Sequence, residues 1–65
     1  MNMKKYYINN RIVEESEFYE CLEESCYAYI KDVDDAGQLF TDSLEDLDYR
    51  GYCIVDNIKF KIFID

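Results

Sequence analysis

From Tyr52 to Ile64 the chain alternates in character on either side of a two-residue break, and this limits the fold more than any other feature. Tyr52-Cys53-Ile54-Val55 and Ile58 to Ile64 flank Asp56-Asn57, a pair suited to the positive φ angles of a type I′ turn. A loop of that length sets the register, with Val55 opposite Ile58 and Cys53 opposite Phe60. Side chains alternate across a strand, so Ile58, Phe60, Ile62 and Ile64 share one face, and Lys59, Lys61 and Phe63 share the other. The isoleucine face is too apolar to be left in water, so the rest of the chain has to supply a layer over it.

More sheet is expected at the start. Lys4 to Ile8 has the aromatic and β-branched content of a strand, Asn9-Asn10 suits a tight turn, and Arg11-Ile12-Val13 can return as a short second arm. The period then changes. At 100° per residue, Phe18, Leu22, Cys26, Tyr29 and Val33 fall on one stripe, with Tyr19 and Ile30 at its edge. Glu17, Glu20, Glu24, Tyr27 and Lys31 fall opposite. This spacing predicts a helix from Glu15 to Lys31, with Ser16 as N-cap and Glu14, Glu15 and Glu17 at the positive end of its dipole. The helix is expected to stop in Asp32 to Gly37, with Gly37 adopting positive φ. Gln38 to Tyr49 reads two ways. It is either a short helix capped by Thr41 or Asp42, with Glu45 as capping-box partner and Leu44 and Leu47 facing inward, or a strand over Gln38 to Thr41. The fold class is α+β: a small antiparallel sheet of two hairpins packed on one amphipathic helix, with the second short helix as an option. No repeat, proline or linker divides residues 1–65, so one domain is expected.

Composition bounds what such a domain can do. A chain of 65 residues buries only roughly 60% of its unfolded surface, and its stability is a few kcal/mol. With 49% hydrophobic residues, seven tyrosines and four phenylalanines, it is expected to be globular despite its charge. There is no histidine, which excludes nucleophilic catalysis with an imidazole base. A carboxylate pair needs a sheltering cleft to raise one pKa, and a core of this size can hardly surround one. The two glycines, Gly37 and Gly51, form no phosphate loop. Asp32-x-Asp34-x-Ala36-Gly37 begins like an EF-hand but fails at Ala36 and at Ser43, where calcium needs further oxygen ligands. Cys21, Cys26 and Cys53 make an odd count with no zinc spacing, so buried free thiols in a reducing compartment are expected. No signal-peptide pattern or membrane-length apolar run is present, and the expected location is the cytoplasm. The expectation is a protein without catalysis, cofactor or metal.

The acidic residues point to binding. Thirteen of the fifteen lie between Glu14 and Asp48, where Lys31 is the one base, and the net charge is −8. That charge opposes direct contact with nucleic acid or an anionic membrane and favours a basic protein surface. Six glutamates from Glu14 to Glu24 have no base among them. Like charges at helical spacing cost a few tenths of a kcal/mol per pair. A solvated outer face is the plain explanation, and a partner that uses the repulsion is the sharper one. Glu17, Glu20 and Glu24 rise roughly 10 Å along a helix, and the acids from Asp32 to Asp48 could extend that line past the helix end. Such a row can stand in for nucleic-acid phosphates in a groove lined with Lys and Arg. Exposed Tyr27 and Tyr49 would add aromatic anchors, while Tyr6, Tyr19 and Tyr29 are expected to pack inside. The candidate partner-binding residues are Glu17, Glu20, Glu24, Tyr27, Asp34, Asp35, Glu45 and Asp46.

The opening Tyr7-Ile8-Asn9-Asn10-Arg11-Ile12-Val13, followed by Phe18 and Leu22-Glu23-Glu24, resembles the strand, turn and Glu-rich helix that start small phage and prophage proteins. The short, acidic format without catalytic residues is similar to anti-CRISPR and other phage counter-defence inhibitors. This resemblance implies a stoichiometric inhibitor acting in the cytoplasm of an infected host cell. Its partner would be a basic nucleic-acid-binding protein such as a CRISPR effector nuclease or complex. It assigns no individual residue, because those proteins share no motif. The alternative is a small homo-oligomeric phage accessory protein, a homodimer for example, associating through Tyr52, Ile54 and Phe63 on the open face of the second hairpin.

Overall fold

A computed structural model describes residues 3–65, in the order β1 (Lys4–Ile8), β2 (Arg11–Val13), α1 (Glu15–Tyr29), α2 (Val33–Arg50), β3 (Tyr52–Val55) and β4 (Ile58–Ile64). The four strands form one antiparallel sheet in the order β2-β1-β4-β3. Both turns read as tight have the backbone they need, with positive φ at Asn9 and Asn10 and again at Asp56 and Asn57. The second hairpin has the expected register, Val55 opposite Ile58 and Cys53 opposite Phe60. The hairpins are joined through their long arms, with Lys4 opposite Ile64 and Ile8 opposite Phe60. Asn9 clamps the seam from both sides: its N–H donates to the Lys59 carbonyl (2.9 Å), and its Oδ1 accepts from the Lys59 N–H (3.0 Å).

Alternation places Tyr6, Ile8, Cys53, Val55 and Phe60 beneath the helices, and all five are buried. Phe18, Leu22 and Cys26 descend from α1 and Leu47 from α2 to meet them. Phe18 is at the centre, fully buried, with its ring 5.6 Å from Phe60 at 85° and 5.2 Å from Tyr6. Edge-to-face pairs of this kind add about 0.5–1.5 kcal/mol each beyond the area they bury. The Tyr6 hydroxyl donates to Glu15 Oε2 at 2.7 Å. That hydrogen bond and burial together push its pKa up to about 12.

The middle of the chain departs from expectation in four ways. First, α1 ends at Tyr29, because Ile30 is extended (φ −118°, ψ 122°). By then the helix has reached the β3–β4 turn, where Tyr29 lines a shallow groove with Asp56 and Asn57. The sheet ends there, so Tyr29 and Val33 are exposed (61% and 67%) and do not continue the stripe. Second, Glu14 is the N-cap of α1 in place of Ser16, and its side chain makes no capping bond. Third, Asp32 to Gly37 starts a helix where a stop was expected: Asp32 Oδ1 accepts from the Asp35 N–H (3.1 Å), a normal N-cap, so no EF-hand loop forms. Fourth, of the two readings of Gln38 to Tyr49 the helix holds and the strand does not, but the segment is the body of the longer α2, with Thr41 and Asp42 at mid-helix instead of capping it. Gly37 lies inside that helix at the crossing with α1, where an added Cβ would be 3.5 Å from Tyr27 Oη. The left-handed residue is Gly51 (φ 81°), which ends α2 with its N–H on the Leu47 carbonyl (3.0 Å).

The sheet is therefore covered by two helices, the optional second one being longer than expected. The connection between them is only Ile30 to Asp32, so α2 turns back along α1. Tyr27 meets Gly37 near the turn, while Tyr19 and Leu44 share a groove further along. Leu44 and Leu47 face inward as read. Cys26 and Cys53 are buried free thiols, whereas Cys21 is half-buried. Burial pushes the Cys53 thiol up to about 11 and raises Cys26 as well, so both stay protonated and unreactive near neutrality.

Candidate functional site

The eight residues singled out from the sequence all lie on the helical layer, in two groups. On α1, Glu17, Glu20 and Glu24 follow at spacings of three and four residues, which keeps them on one face. All three are exposed, and with Ser16 and Cys21 they line a shallow depression. Glu24 also borders a second depression with Glu23 and Tyr27, whose ring is 42% exposed. On α2, Asp34 and Asp35 are in the first turn, and Glu45 and Asp46 lie nearer its C-terminal end.

These groups do not make the single extended line expected. Because α2 doubles back, its acids run beside those of α1, not beyond them. The seam where Tyr27 crosses Gly37 separates the two rows. Helical spacing puts Asp34, Glu45 and Asp48 along the crest of α2, and Asp35, Asp42 and Asp46 along one flank. Asp42, Asp48 and Glu23 thus belong to the surface as much as the chosen eight. The signal for the placement of Asp42 and Asp48 was continuous helical spacing through Asp32 to Gly37, which the apparent stop concealed. That for Glu23 was its position beside Glu24 on α1.

Two of the eight are matched by bases from the same chain. Glu17 Oε2 is 3.6 Å from Arg11 Nη2, and Asp46 Oδ2 is 3.2 Å from Arg50 Nη2, one turn away on α2. Both pairs are about half exposed or more and so worth little, about 0–1 kcal/mol. Among the described residues, Glu20, Glu24, Asp34, Asp35 and Glu45 make no ion pair. Asp34 and Asp35 also serve the fold, since carboxylates in a first turn meet the positive end of the helix dipole. No group of three or more possible ligands among the described residues could hold a metal ion, and no helix there is long and apolar enough to cross a membrane.

The opposite side of the molecule has a different chemistry. The outward face of the sheet holds Lys5, Tyr7, Ile12, Tyr52, Ile54, Lys59, Lys61 and Phe63 by strand alternation. Ile12, Tyr7, Lys61 and Tyr52 form one cross-strand row. Ile12 and Ile54 are about as exposed as side chains on an uncovered sheet can be (60% and 62%), and Phe63 is 45% exposed. Three cations rest over aromatic rings: Arg50 at 5.0 Å and Lys59 at 5.4 Å from the Tyr52 ring centre, and Lys61 at 5.9 Å from that of Tyr7. Lys5 is 3.8 Å from Asp65. Comparison of the chain with protein-family models, with curated proteins and with solved structures finds no match.

Proposed function

We propose that this protein is a stoichiometric inhibitor that occupies the basic groove of a nucleic-acid-binding protein with the acidic surface of its two helices. One observation carries the reading: among the described residues, most of the carboxylates on that surface are exposed and without an ion pair, while Lys5, Lys59 and Lys61 lie on the opposite face. A marginal domain that tolerates this repulsion holds a surface ready for Lys and Arg side chains. Glu20 and Glu24, neither of them paired, would be its centre. Tyr27 beside them would be the rigid aromatic anchor. Asp34, Asp35, Glu45 and Asp46 would extend the contact on the second row. Binding of this kind would release counterions and weaken with salt, as phosphate contacts do. The likeness to phage counter-defence inhibitors makes a CRISPR effector the first target to try.

The test is competition between this protein and DNA for such an effector, using wild type and the double variant Glu20→Lys, Glu24→Lys. The variant is expected to fold, by circular dichroism, and to lose inhibition. A folded variant with unchanged affinity would remove the reading.

A further inference from the structure

The open sheet face is not used by that function, and its chemistry complements the helices. We infer that the outward face of the sheet docks the acidic helical surface of a second copy of this chain, back to front. Lys59 and Lys61 are two residues apart on β4, which separates them by about 6.8 Å on one face. Glu20 and Glu24 are four residues apart on α1, a rise of about 6 Å. Two lysines on a strand and two carboxylates on a helix are thus nearly commensurate. Ile54, opposite Lys59, gives Tyr27 of the incoming helix an apolar floor where Glu24 meets Lys59.

A single-stranded nucleic acid is the other polyanion suited to an aromatic, lysine-bearing sheet, and the geometry argues against it. Base stacking needs bare ring faces, whereas Arg50 and Lys59 sit over Tyr52 and Lys61 sits over Tyr7. What this face offers outward is positive charge held in place by the rings. Carboxylates on a helix suit it, and this chain carries them. The net charge of −8 repels a second copy at long range, but at physiological salt that repulsion fades beyond about 8 Å, leaving the local pairing to decide. The whole molecular outline, 39 by 20 Å across Cα atoms, barely matches the about 800 Å² per partner of a standard interface. The sheet covers only part of it, so the association is reversible. The two surfaces differ, so the contact is heterologous and adds copies in rows instead of closing a dimer.

Sedimentation of the full chain near 1 mM in about 0.15 M salt tests this. Wild type is expected to gain mass with concentration, while Lys59→Gln with Lys61→Gln, and separately Glu20→Gln with Glu24→Gln, stay monomeric. An equimolar mixture of the two variants retains one intact face of each kind and should reach about twice the monomer mass, and no more. Three results would overturn the inference: a monomeric wild type, self-association that survives in either variant, or a mixture that stays monomeric. So would binding of a single-stranded oligonucleotide by wild type and the glutamine-for-glutamate variant but not by the lysine variant. The lysine variant keeps the acidic surface, so its capture by an effector reads the proposed function separately.

Discussion

The two broad surfaces of this domain are built from the same short chain and differ in how they treat charge. On the helices, carboxylates stand in rows with few partners, and neighbours repel. On the open sheet, cations lie over tyrosine rings that steady them, and Asp65 answers Lys5. One surface is kept despite its electrostatic cost, whereas the other is locally satisfied. The contrast separates a surface whose charges find few partners within the chain from one whose charges are steadied by it, and it can be broken in graded steps.

The largest effect should come from the layer that holds the surfaces apart. Phe60→Ala removes a fully buried ring stacked edge-on against Phe18 and should cost about 3–5 kcal/mol, enough to unfold much of the population in urea titration. Both surfaces would then vanish together. Alkali should act next, through Tyr6 and Cys53. Both pKa values are raised in the folded state, so their contribution is complete below the unfolded values near 10 and 9. It is lost as pH rises through about 11 for Cys53 and about 12 for Tyr6. The urea midpoint should therefore hold steady from neutrality to about pH 9 and fall above it. In Tyr6→Phe the part of the fall near pH 12 should disappear.

Smaller changes sharpen the comparison. Asp32→Ala removes the side-chain cap of α2 and should cost about 1 kcal/mol, whereas Glu14→Ala at the start of α1 loses no such bond and should cost little. Neutralising the open sheet with Lys59→Gln and Lys61→Gln removes two cation–π contacts and should lower stability by about 1 kcal/mol. Neutralising the helical row with Glu20→Gln and Glu24→Gln should do the reverse, raising stability by a few tenths of a kcal/mol as repulsion is relieved. Opposite signs for these two pairs in thermal melts would establish the contrast, and equal signs would dissolve it.

Both hairpins were legible because their information is local. Asn9-Asn10 and Asp56-Asn57 fix turns, and turns fix registers. The second helix was legible only as a short option, and its start was not, because Asp32 to Gly37 contains poor helix formers that read as a stop. Packing overrides that preference: Ala36, Leu39, Phe40, Ser43, Leu44 and Leu47 make a continuous inward stripe. Gly37 lies beside a tyrosine ten residues earlier, a proximity no local pattern reveals. The acidity of the middle was plain, but its division into two antiparallel rows depended on where that helix starts. The Asp46–Arg50 pair is readable from sequence only once both residues are known to share a helix. Tyr29 was misjudged because periodicity says which way a side chain points, not whether any sheet remains beneath it.

The central pair of strands is formed by the first and last elements of the domain, with Met3 accepting from the Asp65 N–H across the end of the seam (2.9 Å). During synthesis, β1 therefore waits with one edge unpaired until β4 leaves the ribosome, well after both helices have emerged. Closure of the sheet is deferred until β4 has emerged, because the contacts that make it are the most distant in sequence within this domain. Until then a nascent chain exposes the underside of its helices, and a truncation before Ile58 should yield degradation, not a smaller working protein.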